Sequence, residues 1–122
     1  MKKSFACIAV LLFLAACDPS SQRDPVVFSE TLPESEGEQL YLDMKCPTCH
    51  GYQGSGDGFL SAGLQPKPRD FSSVEAMDSI TDTQLKEAVR NGKGAGMPKY
   101  ADFTDHQVDV LVQYIRSLSQ SP

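Results

Sequence analysis

The longest apolar run comes first. Ile8, Ala9, Val10, Leu11, Leu12, Phe13 and Leu14 follow one another without polar relief, behind the basic start Lys2-Lys3. A run with no solvent face is not an amphipathic helix. Charge, a short greasy stretch and small residues make a secretory signal pattern. Asp18 to about Pro33 is polar and proline-bearing and predicts a tether, with an r.m.s. reach of about 20 Å. Helical periodicity then starts near Ser35, where Ser35 and Glu38 form a capping box ahead of Leu40, Tyr41 and Met44. Cys46-Pro47 ends that helix. Residues 51–73, with Gly51, Gly54, Gly56, Gly58, Gly63, Pro66 and Pro68, predict a long loop. Asp78 through Asn91 predicts a second helix, with a box at Thr81 and Gln84 and a stop at Asn91-Gly92. A third helix begins near Thr104, with Gln107 completing its box, and buries Val108, Leu111, Val112, Ile115 and Leu118. No alternating strand pattern stands out. The fold class is all-α.

The chain has 122 residues, which bounds it to one small domain. Such a domain has a modest core and often draws stability from a metal, disulfide or cofactor. The formal charge of −5 argues against a nucleic-acid binder relying on a basic face. No apolar run reaches the roughly 18 residues of a membrane-spanning helix.

Leu14-Ala15-Ala16-Cys17 resembles a bacterial lipobox. The resemblance implies cleavage before Cys17 and acylation of its thiol and new amine. The expected organisation is a signal peptide at 1–16, a lipidated Cys17 with its tether at 17–33, and a folded domain at 34–122. One acyl chain anchors only marginally, whereas two or three hold firmly. An ordinary secretory cut, with Cys17 a bystander, is the alternative. Cys7 leaves with the signal, so Cys46 and Cys49 remain, in a compartment where paired cysteines normally oxidise.

Cys46-Pro47-Thr48-Cys49-His50 is Cys-x-x-Cys-His, the attachment signature of c-type haem. Two thiolates one helical turn apart can add across the two vinyl groups at a porphyrin edge, and the next residue then lies under the ring. His50 can therefore reach the iron. A thioredoxin-like dithiol would sit after a strand in a βαβ pattern, and none is visible. A structural zinc site wants four N/S ligands, and only His106 is left to supply one.

Around this motif the chain resembles monohaem class I c-type cytochromes, over nearly all of residues 34–119. The resemblance runs through Gly37, Tyr41, Cys46 to Gly51, Gly56-Asp57-Gly58 and Pro66-Lys67-Pro68-Arg69-Asp70-Phe71. It continues through Asn91-Gly92-Lys93-Gly94-Ala95-Gly96-Met97-Pro98 to Leu111–Leu118. It implies about three main helices wrapped around one haem c, covalently attached through Cys46 and Cys49. Met97 is the expected sixth ligand, because Gly94 and Gly96 let the loop fold over the open face and Met/His ligation is a common cytochrome arrangement. Met77 and then His106 are the fallbacks; Met44 is expected to face the helix core.

In the family, a proline-containing loop supplies the carbonyl that accepts from the other ring nitrogen of the histidine, which points to Pro66 or Pro68. Arg69 is a candidate partner for a haem propionate. The resemblance sets Gly37 and Tyr41 against Leu111 and Tyr114. Tyr41 precedes Cys46 by five positions, one more than the common spacing, so either the helix bulges or Leu42 takes part of the tyrosine's role.

A thioether favours Fe(II) and fills the last coordination position, which favours a carrier over an enzyme. The expected function is a membrane-tethered electron carrier. It would sit on the periplasmic face of a bacterial cell membrane and pass single electrons between respiratory donor and acceptor proteins. The alternatives are a permanent haem c subunit of a larger respiratory oxidoreductase, or a haem enzyme or gas-binding protein with a labile sixth ligand. The acidic balance suggests a partner with a positive surface, unless acidity only maintains solubility.

Overall fold

The computed structural model describes residues 34–120; the proposed signal peptide, Cys17 and the tether lie outside the described residues. The elements in chain order are α1 (Glu36–Asp43), α2 (Pro47–His50), a 3-10 turn (Ser61–Gly63), α3 (Val74–Asp78), α4 (Asp82–Asn91) and α5 (Asp105–Ser117). The three longest, α1, α4 and α5, are the main helices, and the described residues contain no sheet. No helix among them is long and apolar enough to cross a membrane.

Each main helix starts where a side chain satisfies an orphan backbone donor. Ser35 Oγ accepts from Glu38 N at 3.1 Å, but the Glu38 carboxylate accepts from Glu34 N rather than from Ser35. Half of the expected box is therefore displaced by one residue. The boxes at Thr81/Gln84 and Thr104/Gln107 form in full.

The second predicted helix divides in two. Asp78 belongs to α3, and α4 begins at Asp82. Thr81 must adopt extended backbone (φ −85°, ψ 160°) to cap α4, and that breaks continuity with the residues before it. Ser73 caps α3 through Ala76 N, so the loop expected over 51–73 ends on a five-residue helix too short to show periodicity.

The spacing of Tyr41 is resolved at the end of α1. Cys46 N donates to Tyr41 O and Lys45 N to Leu42 O, both at 3.0 Å, with Lys45 in the left-handed region at φ 60°. This is a Schellman cap. It absorbs the extra residue without a helical bulge, and Tyr41 keeps its place, fully buried.

The core comprises Tyr41, Phe71, Met77, Leu85, Val89, Val108, Leu111, Val112 and Ile115. Helix α1 crosses α5 at Gly37, where an added Cβ would lie 2.2 Å from Val110 O and 2.8 Å from Tyr114 Cβ. Tyr41 packs on Tyr114 with ring centroids 5.3 Å apart. Arg116 closes the other side of α5, donating to Met77 O and Ile80 O and to the Asp82 carboxylate. That clamp fixes the corner between α3 and α4.

Candidate metal centre

The cysteine–histidine motif is folded as a single turn. Pro47, with its preset φ, occupies the first helical position of α2, and His50 N donates to Cys46 O at 2.9 Å. A four-residue helix leaves its carbonyls unpaired, and the following loop supplies the donors. Gly51 N donates to Pro47 O, Leu60 N to Thr48 O, Gly58 N to Cys49 O and Gly56 N to His50 O, at 2.8–3.1 Å. Backbone lies directly on backbone here: a Cβ on Gly58 would fall 2.5 Å from both Pro47 O and Thr48 O. The Gly56-Asp57-Gly58 segment is thus the brace of the motif.

Cys46 and Cys49 are free thiols. Burial pushes the Cys46 thiol up to about 11, with the neighbouring Cys49 adding to the shift and a backbone hydrogen bond opposing it. The His50 ring stacks on Phe71, centroids 4.4 Å apart and planes 15° from parallel. Its Nδ1 lies 3.4 Å from Arg69 O, a long contact. A carbonyl only accepts, so Nδ1 carries the hydrogen in this contact and Nε2 presents its lone pair. Burial also lowers the His50 pKa, against the Arg69 carbonyl, and so favours the neutral ring that can ligate a metal.

Met97 reaches the same place from the other end of the chain. Lys93 and Met97 exchange two backbone hydrogen bonds at 3.2 Å, closing a tight loop with Gly92 at φ 70° and Gly94 at φ 61°. The loop is fixed at three further points. Tyr100 N donates to Val89 O at 3.0 Å. Tyr100 Oη donates to Met44 O at 3.2 Å. Gly96 lies so close to Leu64 that a Cβ would be 2.9 Å from its Cδ2.

Cys46, His50 and Met97 line one cavity, together with Met44, Phe71 and Tyr100. The donors are therefore an imidazole, a thioether and two thiols, one of which lines the cavity and the other of which lies on the same turn. This soft set in an apolar setting suits a haem iron and its attachment. Among the described residues no group of three or more His, Cys, Asp or Glu could hold a metal ion, so the zinc alternative gains no support. Among the described residues no strand precedes α2, so the thioredoxin-like alternative finds no βαβ context there.

Several expectations change in detail. The carbonyl facing His50 Nδ1 belongs to Arg69, not to Pro66 or Pro68, because the loop turns back toward α2 one residue later than the prolines. Pro66 is exposed and outside the cavity. The Arg69 guanidinium donates to Ala76 O at 2.6 Å and Ser79 Oγ at 3.2 Å, and so holds the C-terminal end of α3. Met44, expected to face the helix core, lines the cavity. Met77 is 1% exposed in the hydrophobic core and does not line it. His106 is on the surface, 2.9 Å from the Glu36 carboxylate, where it bridges α5 to α1.

Tyr100 was not singled out by the sequence, and Gly58 and Phe71 entered only as parts of the family pattern, without a role at the site. Each acts through a contact distant in the chain. Only Gly58, one of the closely spaced glycines after the motif, left a local signal.

A family model described as Cytochrome c matches residues 34–119. Among solved structures, the chain is similar to one from Kuenenia stuttgartiensis, described as a reducing HAO-like protein complex. The identity is 27% and the TM-score 0.55, over 69% of this chain and 41% of that one. The chain thus spans about two fifths of that relative's length. No curated protein matches the sequence.

Proposed function

The chain belongs to the cytochrome c family, and on that premise we propose that it is a membrane-tethered periplasmic electron carrier, holding one haem c through Cys46 and Cys49 with His50 and Met97 as axial ligands. The observation that carries the reading is the convergence of Cys46, His50 and Met97 on one apolar cavity.

Bound there, the haem supplies a one-electron couple, and a thioether ligand favours its reduced form. The protein's own residues supply position. The Arg69 carbonyl and the Phe71 ring orient His50, so its Nε2 is aimed without a search through rotamers. The Lys93–Met97 pairing and the Tyr100 hydroxyl hold the Met97 loop in place. With both His50 and Met97 bound to it, the iron would offer no position to a substrate and would need little rearrangement on electron gain or loss, which is the property of a carrier. The apolar lining excludes water from the couple.

The tether is the second half of the proposal. Cys17, acylated after export, would keep the domain on the membrane, with eighteen residues between it and the first helix at Glu36. There it would pass single electrons between respiratory donor and acceptor proteins.

A fixed subunit of a larger oxidoreductase is the second reading. It is favoured by the Kuenenia stuttgartiensis relative, whose chain is longer and is described as part of a complex.

An optical spectrum of the purified protein, in alkaline pyridine and in native buffer, tests the proposal. Thioether-linked haem and the sulfur-to-iron charge-transfer band of the oxidised protein are expected. A colourless protein, or haem extractable by acidified acetone, refutes it. Release from membranes as a monomer at high salt separates the carrier from the fixed subunit.

A further inference from the structure

His50 is held at one corner by a weak contact and on its face by a close one. The 3.4 Å from Nδ1 to Arg69 O is longer than an ordinary N–H···O bond. The Phe71 ring lies 4.4 Å away, centroid to centroid, with its plane 15° from parallel. A single hydrogen bond at the corner of an imidazole lets the ring rock about its Cβ–Cγ bond. A parallel ring against the face does not, because rocking drives one edge into the neighbour.

Phe71 can act in this way only if it is itself immobile, and the chain around it makes it so. Its N–H donates to Gly54 O at 2.6 Å. The Asp70 carboxylate accepts from Ser72 N at 2.9 Å and from Ser73 N at 3.2 Å, which turns the chain directly after the phenylalanine. Arg69, two residues before it, is anchored through its guanidinium to Ala76 O and Ser79 Oγ. The Phe71 side chain is buried.

Gly54 is the seat. It is buried at φ 75°, and a Cβ there would fall 2.9 Å from Phe71 Cβ and 2.7 Å from Leu118 Cδ1. The space that a side chain would take is therefore filled by Phe71 and by the leucine that caps α5. Gly54 N donates to Gly51 O at 3.1 Å, and Gly51 ends the turn that carries His50. Phe71 is thus referenced to the same turn as the imidazole it faces. The circuit from His50 through Gly51, Gly54 and Phe71 closes on itself.

We infer that Phe71 is the positioning residue that sets the plane of the His50 ring, with Gly54 and Leu118 as its seat. This assignment, which rests on the electron-carrier reading, names the contact that governs the orientation of the ligand. The plane of an axial imidazole decides how its π orbitals meet those of a bound haem iron, and so how the unpaired electron of the oxidised state spreads over the macrocycle. A plane fixed by packing does not turn when the charge on the metal changes, which keeps rearrangement small.

Proton NMR of the oxidised, haem-loaded full chain tests this, because the spread of the haem-methyl resonances follows the orientation of the axial imidazole. Phe71→Leu keeps most of the apolar volume and loses the flat face; it should move these resonances and shrink their spread. Leu118→Ala opens the seat from the end of α5 and should shrink the spread in the same direction, by less. Val108→Ala, a buried truncation about 15 Å up α5 from Leu118, should lower stability and leave the resonances in place. An unchanged spread in Phe71→Leu would overturn the inference and give the plane to the Arg69 carbonyl, with the carrier intact. An equal change in Val108→Ala would overturn it as well, since general loosening would then account for the effect. If Phe71→Leu fails to take up haem, Leu118→Ala decides, and an unchanged spread there overturns the inference. An unsubstituted chain without thioether-linked haem in alkaline pyridine would overturn both the inference and the carrier reading.

Discussion

The Tyr41 hydroxyl donates to the Gly51 carbonyl at 2.7 Å, joining the fully buried side chain of α1 to the residue that ends the cysteine–histidine turn. The bond spans the Schellman cap, so the position of the motif relative to the helical core does not depend on the strained Lys45 alone. Tyr41→Phe removes it while keeping the ring contact with Tyr114. Gly51 O retains a second donor, Gly54 N at 3.1 Å, so the loss should be about 1 kcal/mol rather than the larger penalty of an orphaned acceptor. The midpoint of chemical denaturation, at unchanged slope, measures it.

The same phenol predicts an alkaline limit to stability. Burial, before all else, raises the Tyr41 pKa above its ordinary value of 10.0, and Tyr100 and Tyr114 shift the same way. The unfolded chain therefore loses these protons at lower pH than the folded one. The stabilisation is fully present below pH about 10 and is lost as pH rises toward the folded-state values. Denaturation midpoints taken between pH 8 and 11 should fall above about 10, and Tyr41→Phe should flatten that fall.

Gly37 sets the crossing of α1 and α5. A methyl group there would meet Val110 O at 2.2 Å, and backbone cannot give way as a side chain can. Gly37→Ala should gain roughly 1 kcal/mol of helix propensity and still destabilise by about 2 kcal/mol through overpacking. A stabilised variant would mean that the helices do not approach so closely.

How much of this was legible depended on the range of each interaction. The cysteine–histidine motif and the caps at Thr81 and Thr104 are local, and side chains three or four residues apart fix their geometry whatever surrounds them. The all-helical class followed from periodicity in the same way. The break between α3 and α4 was lost because the Val74–Asp78 segment is shorter than two turns. Arg69, Tyr100 and Arg116 could not be read in advance: each bonds to backbone carbonyls, which every residue type offers equally. The sequence therefore carries no mark of their partners.

Two thioethers line the cavity, Met44 and Met97, and the assignment between them is testable. Met44 caps α1 two residues before Cys46, and its carbonyl is tied to Tyr100. Met97 sits on a glycine-flanked loop of its own. Met97→Ala should abolish the sulfur-to-iron charge-transfer band and open the reduced protein to rapid carbon monoxide binding. Met44→Leu and Met77→Leu, near-isosteric changes costing under about 1.5 kcal/mol, should leave the band in place. Survival of the band in Met97→Ala would move the ligand to Met44.

Lys45 carries a backbone conformation that its side chain does not favour. Its φ of 60° suits glycine, the residue favoured at this place in a Schellman cap. Lys45→Gly should relieve about 1 kcal/mol of backbone strain, partly offset by the greater freedom of glycine in the unfolded chain. A net gain of about 0.5 kcal/mol, read from the denaturation midpoint, is the expected outcome. An unchanged or lower midpoint would mean that the left-handed conformation costs lysine nothing at this cap.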